Sequence, residues 1–303
     1  MRVVITGGTG LIGSALTDAL SKAGDEVILL SRSPERGREP RPGVRVEKWD
    51  GHSVEGWGHL VDGADAIVNL AGENISSGPW TAERKQRIWK SRVDAGMAIV
   101  EAVKRASQRP RVVVQSSAVG YYGPRGDEVI AERSAAGSDF LARVCVDWED
   151  STRPLEDLGV RRAVTRTGVV LSPTGGALPR MALPTRLFVG GPLGSGRQCF
   201  PWIHIADEVG AIRFLISNDG AHGAFNLTAP NPVPNAKFSR ALGRVLGRPA
   251  LLRTPAFALR LLFGQMATAI LDGQRAVPAR LQTLGFQFRF PELKPALRDL
   301  LPD

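Results

Sequence analysis

Residues 115–123 read QSSAVGYYG and hold both tyrosines of the chain. An apolar run leads into two serines and then into Tyr121 and Tyr122, a set of hydroxyls able to hold a substrate oxygen or move a proton. Two readings stand side by side: a catalytic corner, or a scaffold in which the tyrosines plug the end of a buried strand. Tyr122 is the candidate for substrate contact and proton transfer. Lys90, beside Ser91 and Arg92 in the helix-length segment 81–107, is a second candidate proton donor, with a solvated helix charge as its plain alternative. Tyr121 and Arg125 are spaced as an i, i+4 pair, but Gly123 and Pro124 between them make a turn, so the two side chains need not share a face.

Further polar candidates are scattered. Glu73 and Asn74 follow an apolar strand and either reach a substrate or cap a loop, and His204, beside Trp202 in PWIHIAD, either binds an anionic substrate or, as the more ordinary reading, caps a helix with Asp207 in its first turn. Arg180, Arg186 and Arg197 sit in a Gly/Pro-rich stretch and are candidate clamps for a carboxylate or phosphate. Cys145 and Cys199, with four scattered histidines, offer no metal-ligand spacing, so no metal site is expected.

The elements that must position these groups begin at ITGGTGLIG, residues 5–13. Gly7, Gly10 and Gly13 follow the first apolar run and open a helical pattern: the first permits a tight turn, the second admits a pyrophosphate to backbone N–H groups, the third lets helix pack on strand. Thr9, Leu11 and Ile12 complete this cofactor-binding turn. At the end of the second run, Ser31, Arg32 and Ser33 supply donors and positive charge where an acid would accept from a ribose 2′-OH. That pattern favours NADP(H) over NAD(H). Leu70, Ala71 and Gly72 are expected along the cofactor, and Ser116 near the nicotinamide.

Six apolar runs, at 2–6, 26–30, 44–49, 66–71, 111–116 and 160–167, alternate with helical patterns at 11–23, 81–107 and 138–157. This order implies an α/β, Rossmann-type doubly wound parallel sheet. Residues 168–203 are rich in Gly and Pro, too irregular for a crossover helix, and read as a substrate-side excursion. A helix-like stretch, 204–217, and a short strand, 224–229, follow. The expected division is an NADP-binding domain over 1–230 and a smaller, mainly helical C-terminal substrate-side domain over 231–303, packed beside the sheet.

The 303-residue chain is 43% hydrophobic, a soluble globular composition, and no apolar run approaches the ~18 residues of a membrane span. A cytoplasmic protein without a membrane partner is expected. The net charge of +9 is concentrated after residue 231, where basic residues alternate with apolar ones rather than forming a run. It reads as a solvated face or a surface for an anionic ligand, not a nucleic-acid stripe.

TGGTGLIG, NLAG, the SS…YG corner and PWIHIAD resemble the extended short-chain dehydrogenase/reductase superfamily, which includes nucleotide-sugar epimerases. WTAERKQRIWKSRVDAG, SSAVGYYG, GGPLGSGRQCFPWIHIAD and GQMATAILDGQRAVPARLQTLGFQF are similar to an atypical subgroup of epimerase-family proteins with a characteristic C-terminal domain, described as homologues of a cell-division inhibitor. The resemblance implies a Tyr on the helix after the corner, a Lys four residues later and a Ser or Thr at the strand end. Here Phe140, Val144 and Ala118 occupy those positions, no tyrosine follows Tyr122, and no lysine lies between Lys104 and Lys237. The expected function is therefore an NADP(H)-binding, epimerase-like oxidoreductase acting on a small polar substrate, anionic ones included, with Tyr122, Lys90 or water as proton donor. A non-catalytic NADP(H)-binding regulator or scaffold is the alternative.

Overall fold

The computed structural model describes residues 1–34 and 42–302. The apolar runs form seven parallel strands: β1 (Arg2–Thr6), β2 (Glu26–Ser31), β3 (Val44–Lys48), β4 (Ala66–Asn69), β5 (Val112–Ala118), β6 (Arg161–Thr167) and β7 (Gly223–Leu227). They lie in the order β7-β6-β5-β4-β1-β2-β3, so the chain winds outward in both directions from β1. Strand ends β1, β4 and β5 thus gather at the reversal of strand order, where open α/β sheets make their ligand crevice.

Strand periodicity divides the core. Val3 and Ile5 face α1 (Leu11–Lys22) and α5 (Ile205–Ser217), with Leu16, Leu20, Ile212 and Leu215, while Val4 between them faces α2 (Ala82–Arg105), with Ile99 and Val103. The central strands β1, β2 and β4, buried on both faces, read as near-continuous apolar runs, as parallel sheets favour, whereas β5 and β6 also carry buried polar residues toward their ends. Thr81 caps α2 by accepting from the Arg84 N–H at 3.2 Å, and Lys104 and Arg105 close its last turn. The helical pattern expected over 138–157 divides: α3 (Phe140–Asp150), capped by Asp139 on Ala142 N–H, is followed by a separate turn, Pro154–Asp157. Pro154 lacks the N–H that a continuous helix would use and starts the new turn instead.

The excursion is more regular than its composition suggests. Val169–Ser172 pairs in parallel with Trp202–His204, and a helix, α4 (Ala177–Arg186), lies between them despite Pro179 and Pro184. The expectation of an irregular segment is corrected here. Pro179 stands in the first turn, whose N–H groups have no intrahelical partner, and Pro184 stands two residues before the end. Trp202, Phe238, Leu178 and Leu297 form the core of this side, joined by α6 (Asn235–Val245) and α8 (Leu293–Leu300).

The tail packs beside the sheet and returns to it at several points. Arg275–Ala276 pairs with Val129–Ile130, Asn226 Nδ2 donates to the Val277 carbonyl, and Thr228 Oγ1 to that of Ala276. Arg280 donates to the carbonyls of Ala224 and His222, and Asp207 accepts from the N–H groups of Arg289 and Phe290.

Candidate functional site

The glycine turn is built for close approach. Gly7 has φ of +67°, and a Cβ there would stand 2.5 Å from the Leu70 carbonyl oxygen; a Cβ on Gly13 would stand 2.4 Å from that of Gly7. Gly10 has no comparable collision, Thr9 and Gly10 are exposed, and Leu11 and Ile12 are half-buried. Gly10 is the N-cap of α1 without a side-chain cap, and the first turn carries no acid. The first N–H groups of a helix have no intrahelical partners, and here they follow the exposed Thr9 and Gly10, an arrangement suited to an anion. The residues present therefore fit a dinucleotide pyrophosphate.

The loop facing this turn is fixed by buried side chains. Thr6 Oγ1 donates to Asn69 Oδ1 at 2.6 Å, Asn69 Nδ2 donates to Gln115 Oε1 at 2.9 Å, and Ala71 N–H is within reach of both Thr6 Oγ1 and Asn69 Oδ1. One chain of bonds thus spans the ends of β1, β4 and β5 and holds Leu70, Ala71 and Gly72 against the glycine turn. Ser31 and Arg32 lie at the end of β2. The Ser31 hydroxyl accepts from Ser33 N–H, and Arg32 is exposed with no ion pair among the described residues. A Cβ on Gly51 would touch the Arg32 chain at 3.6 Å, so the loop after β3 flanks it.

Over Gly72 lies Arg92. Its guanidinium would meet a Cβ on Gly72 at 3.0 Å, donates to the carbonyls of Glu73 and Ile88, and stacks 4.8 Å from the Trp148 ring. Burial holds its pKa below the usual arginine value, with the nearby Cys145 and Glu73 opposing. Lys90, on the same helix, points away: it is exposed and paired with Asp94 at 2.9 Å. Ser91 holds Glu73 N–H at 3.0 Å, and Glu73 in turn faces Arg84 and Arg87. Arg180 reaches from α4 to the Ser76 hydroxyl at 3.1 Å, tying the excursion to this loop. Arg186 and Arg197 make no such bridge among the described residues.

The corner that ends β5 is a buried network. Tyr122 is fully buried; its hydroxyl donates to Asn226 Oδ1 at 2.6 Å and accepts from Arg166 Nη1 at 3.1 Å. Burial pushes its pKa up to about 12 against the opposing pull of Arg166. Arg166, also buried, forks onto Glu149 with two bonds of 2.8 and 2.9 Å and lies 3.4 Å from the Tyr121 ring centre. Although burial opposes its charge, hydrogen bonding to Glu149 holds its pKa above the ordinary arginine value. Ser117 completes the network by donating to Glu149 at 2.7 Å, while Ser116 stays nearly buried one residue before it. Arg125 instead donates to the carbonyls of Tyr122 and Ala135, so it does not serve Tyr121. Cys145 packs nearby as a thiol, its pKa pushed up to about 11 by burial and by the Glu149 charge.

Arg166, Glu149 and Asn226 were not singled out by their types. The available signal was a basic residue inside an apolar strand, VRRAVTRT, which demands a buried partner. His204 is the N-cap of α5: Nδ1 accepts from Ala206 N–H, the ring stacks on Phe290, and burial lowers its pKa. Its Nε2 lies 3.2 Å from an Asp299 carboxylate oxygen, whose charge opposes that shift, and its cap role is structural.

Residues 3–228 match the family described as NAD dependent epimerase/dehydratase, and 254–300 match a domain of unknown function. An epimerase family protein of Mycobacterium bovis is 42% identical over 297 residues, covering 97% of this chain and 96% of that protein. The crystal structure of human epimerase family protein SDR39U1 with NADPH is similar at a TM-score of 0.89 and 37% identity, covering 99% of both chains. A nucleoside-diphosphate sugar epimerase from Corynebacterium glutamicum is 38% identical at a TM-score of 0.79, covering 99% of this chain and 58% of the other. By sequence and by fold, over nearly its whole length, the chain belongs to the NAD dependent epimerase/dehydratase family.

Proposed function

We propose that this protein binds NADP(H) and acts as an epimerase-like oxidoreductase on a small polar substrate. The observation that carries the reading is the glycine turn: a helix start with unpaired N–H groups, held against Leu70–Gly72 by the Thr6–Asn69–Gln115 chain. Gly7, Thr9, Gly10, Leu11, Ile12 and Gly13 cradle the pyrophosphate, Ser31 and Arg32 receive the 2′-phosphate, and Leu70, Ala71, Gly72 and Ser116 line the path to the nicotinamide. The cofactor, when bound, supplies or accepts hydride. NADPH in the crystal structure of the human relative supports the phosphate-bearing form.

Arg92 places positive charge over Gly72, beside this path, and suits a substrate carrying a carboxylate or phosphate. Neither sequence candidate for proton transfer is placed for the role: the Tyr122 hydroxyl is enclosed and occupied, and Lys90 is on the solvent side of α2. The proton in this reading comes from water or from the substrate itself. The same closed network supports a second reading, a cofactor-binding regulator without turnover, because the Tyr122 and Ser117 hydroxyls at the corner are both bonded to other side chains.

Titrating NADPH and NADH against wild type and Arg32→Ala tests the cofactor. NADPH should bind more tightly than NADH, and Arg32→Ala should remove that preference; equal affinity in wild type would sink it. Nicotinamide absorbance followed across aldehydes, ketones and sugar nucleotides separates the two readings, since oxidation with any of them requires an enzyme.

A further inference from the structure

We propose that helix α7 (Ala256–Phe263) and the loops beside it form a docking face for the anionic headgroups of a lipid surface. The face is apolar and exposed. Phe257, Leu261 and Leu262 on α7 are 73%, 87% and 74% exposed, and Leu252, Leu187 and Phe188 on the neighbouring loops are all more than half exposed. These loops are continuous with one another: Leu252 N–H donates to the Gly190 carbonyl and Thr254 N–H to that of Pro192. Phe257 and Leu261, four residues apart, lie on one side of the helix. Single exposed leucines need no explanation, but a contiguous set of this kind marks an interaction site.

Two further observations select the partner. Between Asp219 and Asp272 the chain has no acidic residue at all, whereas it has six basic ones, Lys237, Arg240, Arg244, Arg248, Arg253 and Arg260. Arg248, Arg253 and Arg260 rim the apolar face and are exposed; Asp272 lies close enough to Arg260 for their charges to interact, and Arg248 lies 4.9 Å from the Phe188 ring centre. A second copy docked on this face would set arginine against arginine. An anionic surface meets both features at once: the leucines enter the headgroup boundary while the arginines pair with phosphates, as amphipathic surface helices do. Phe188 adds to the case, since it alone among described non-glycine residues has positive φ, +64°, and a strained backbone holds its ring outward.

This attachment is distinct from spanning, for no helix among the described residues is long and apolar enough to cross a membrane. It amends the expectation that no membrane partner exists. It is also independent of the proposed chemistry.

The test is co-sedimentation of the full chain with phosphatidylcholine vesicles, with and without phosphatidylglycerol. Binding is expected only with phosphatidylglycerol, and it should fall several-fold from low to physiological salt. Leu261→Glu with Leu262→Glu, and separately Arg253→Glu with Arg260→Glu, should each reduce bound protein at least tenfold. NADPH titration checks that both variants fold. No binding by wild type, equal binding to neutral vesicles, or unchanged binding by both folded variants overturns the proposal. So does release by duplex DNA at matched phosphate concentration, which assigns the face to polyanions, or self-association lost in the leucine variant without vesicle binding.

Discussion

Tyr122 and Asn226, 104 residues apart, share a 2.6 Å hydrogen bond that joins the corner after β5 to strand β7 at the far edge of the sheet. With Arg166 on its other side, the phenol is a fastener between elements. Tyr122→Phe should therefore cost roughly 1–3 kcal/mol, because Asn226 and Arg166 each lose a buried partner. Urea denaturation measures the loss, and any cofactor oxidation rate should be unchanged. A rate that collapses while stability holds would return the phenol to catalysis.

Glu149 and Arg166 hold the same corner by charge, with side chains 12% and 6% exposed. Removing one partner leaves the other buried without a counter-charge. Glu149→Ala should cost about 3–5 kcal/mol. The double variant Glu149→Leu with Arg166→Met should recover a substantial part of that, since no lone charge remains. Denaturation midpoints of the two variants provide the comparison.

Glu208 is fully buried, with Oε1 receiving the Thr167 hydroxyl at 2.9 Å and Oε2 without a partner. Burial raises its pKa from 4.5 to about 8, with the Thr167 hydrogen bond opposing. The unfolded chain therefore releases this proton near pH 4.5 while the folded chain keeps it to about pH 8. The stabilising contribution is complete below the first value and is lost as pH rises through the second. Glu208→Gln should remove that decline, so the variant gains on wild type between pH 5 and 8.5. Thermal melting across this range detects the difference; parallel curves would contradict the assignment.

Gly13 and Gly10 should separate fold from cofactor. A Cβ at Gly13 meets Gly7 backbone at 2.4 Å, whereas at Gly10 the nearest atom is 3.2 Å away. Gly13→Ala should destabilise the chain by about 1–3 kcal/mol through overpacking. Gly10→Ala should leave melting nearly unchanged and weaken NADPH binding, because the new methyl intrudes on the pyrophosphate side. Melting curves and fluorescence titration of each variant distinguish the effects.

The sheet and the glycine turn were legible because both are local. Val3, Val4 and Ile5 announce a strand buried on two faces, and Gly7, Gly10 and Gly13 announce the turn that follows it. The absence of the usual Tyr and Lys from α3 was also legible, at Phe140 and Val144. What surrounds the tyrosines was not, because Arg166 and Asn226 reach Tyr122 from 44 and 104 residues away. Helix α4 was hidden by its prolines: Pro179 falls in the first turn, where no intrahelical N–H bond is lost, while Pro184 lies inside the helix and forgoes one. Lys90 and Arg92 are two residues apart on one helix, and the rotation between them alone decides which reaches the cleft.

The pairing of Arg275–Ala276 with Val129–Ile130, with the bonds from Asn226 and Thr228 to Val277 and Ala276, has a topological consequence. The last quarter of the chain is the buttress of the corner, not an appendix to it. A polypeptide stopped near residue 253 would keep every strand of the sheet yet bare the wall behind Tyr122. The corner can therefore close only once residues 275–277 are in place behind it.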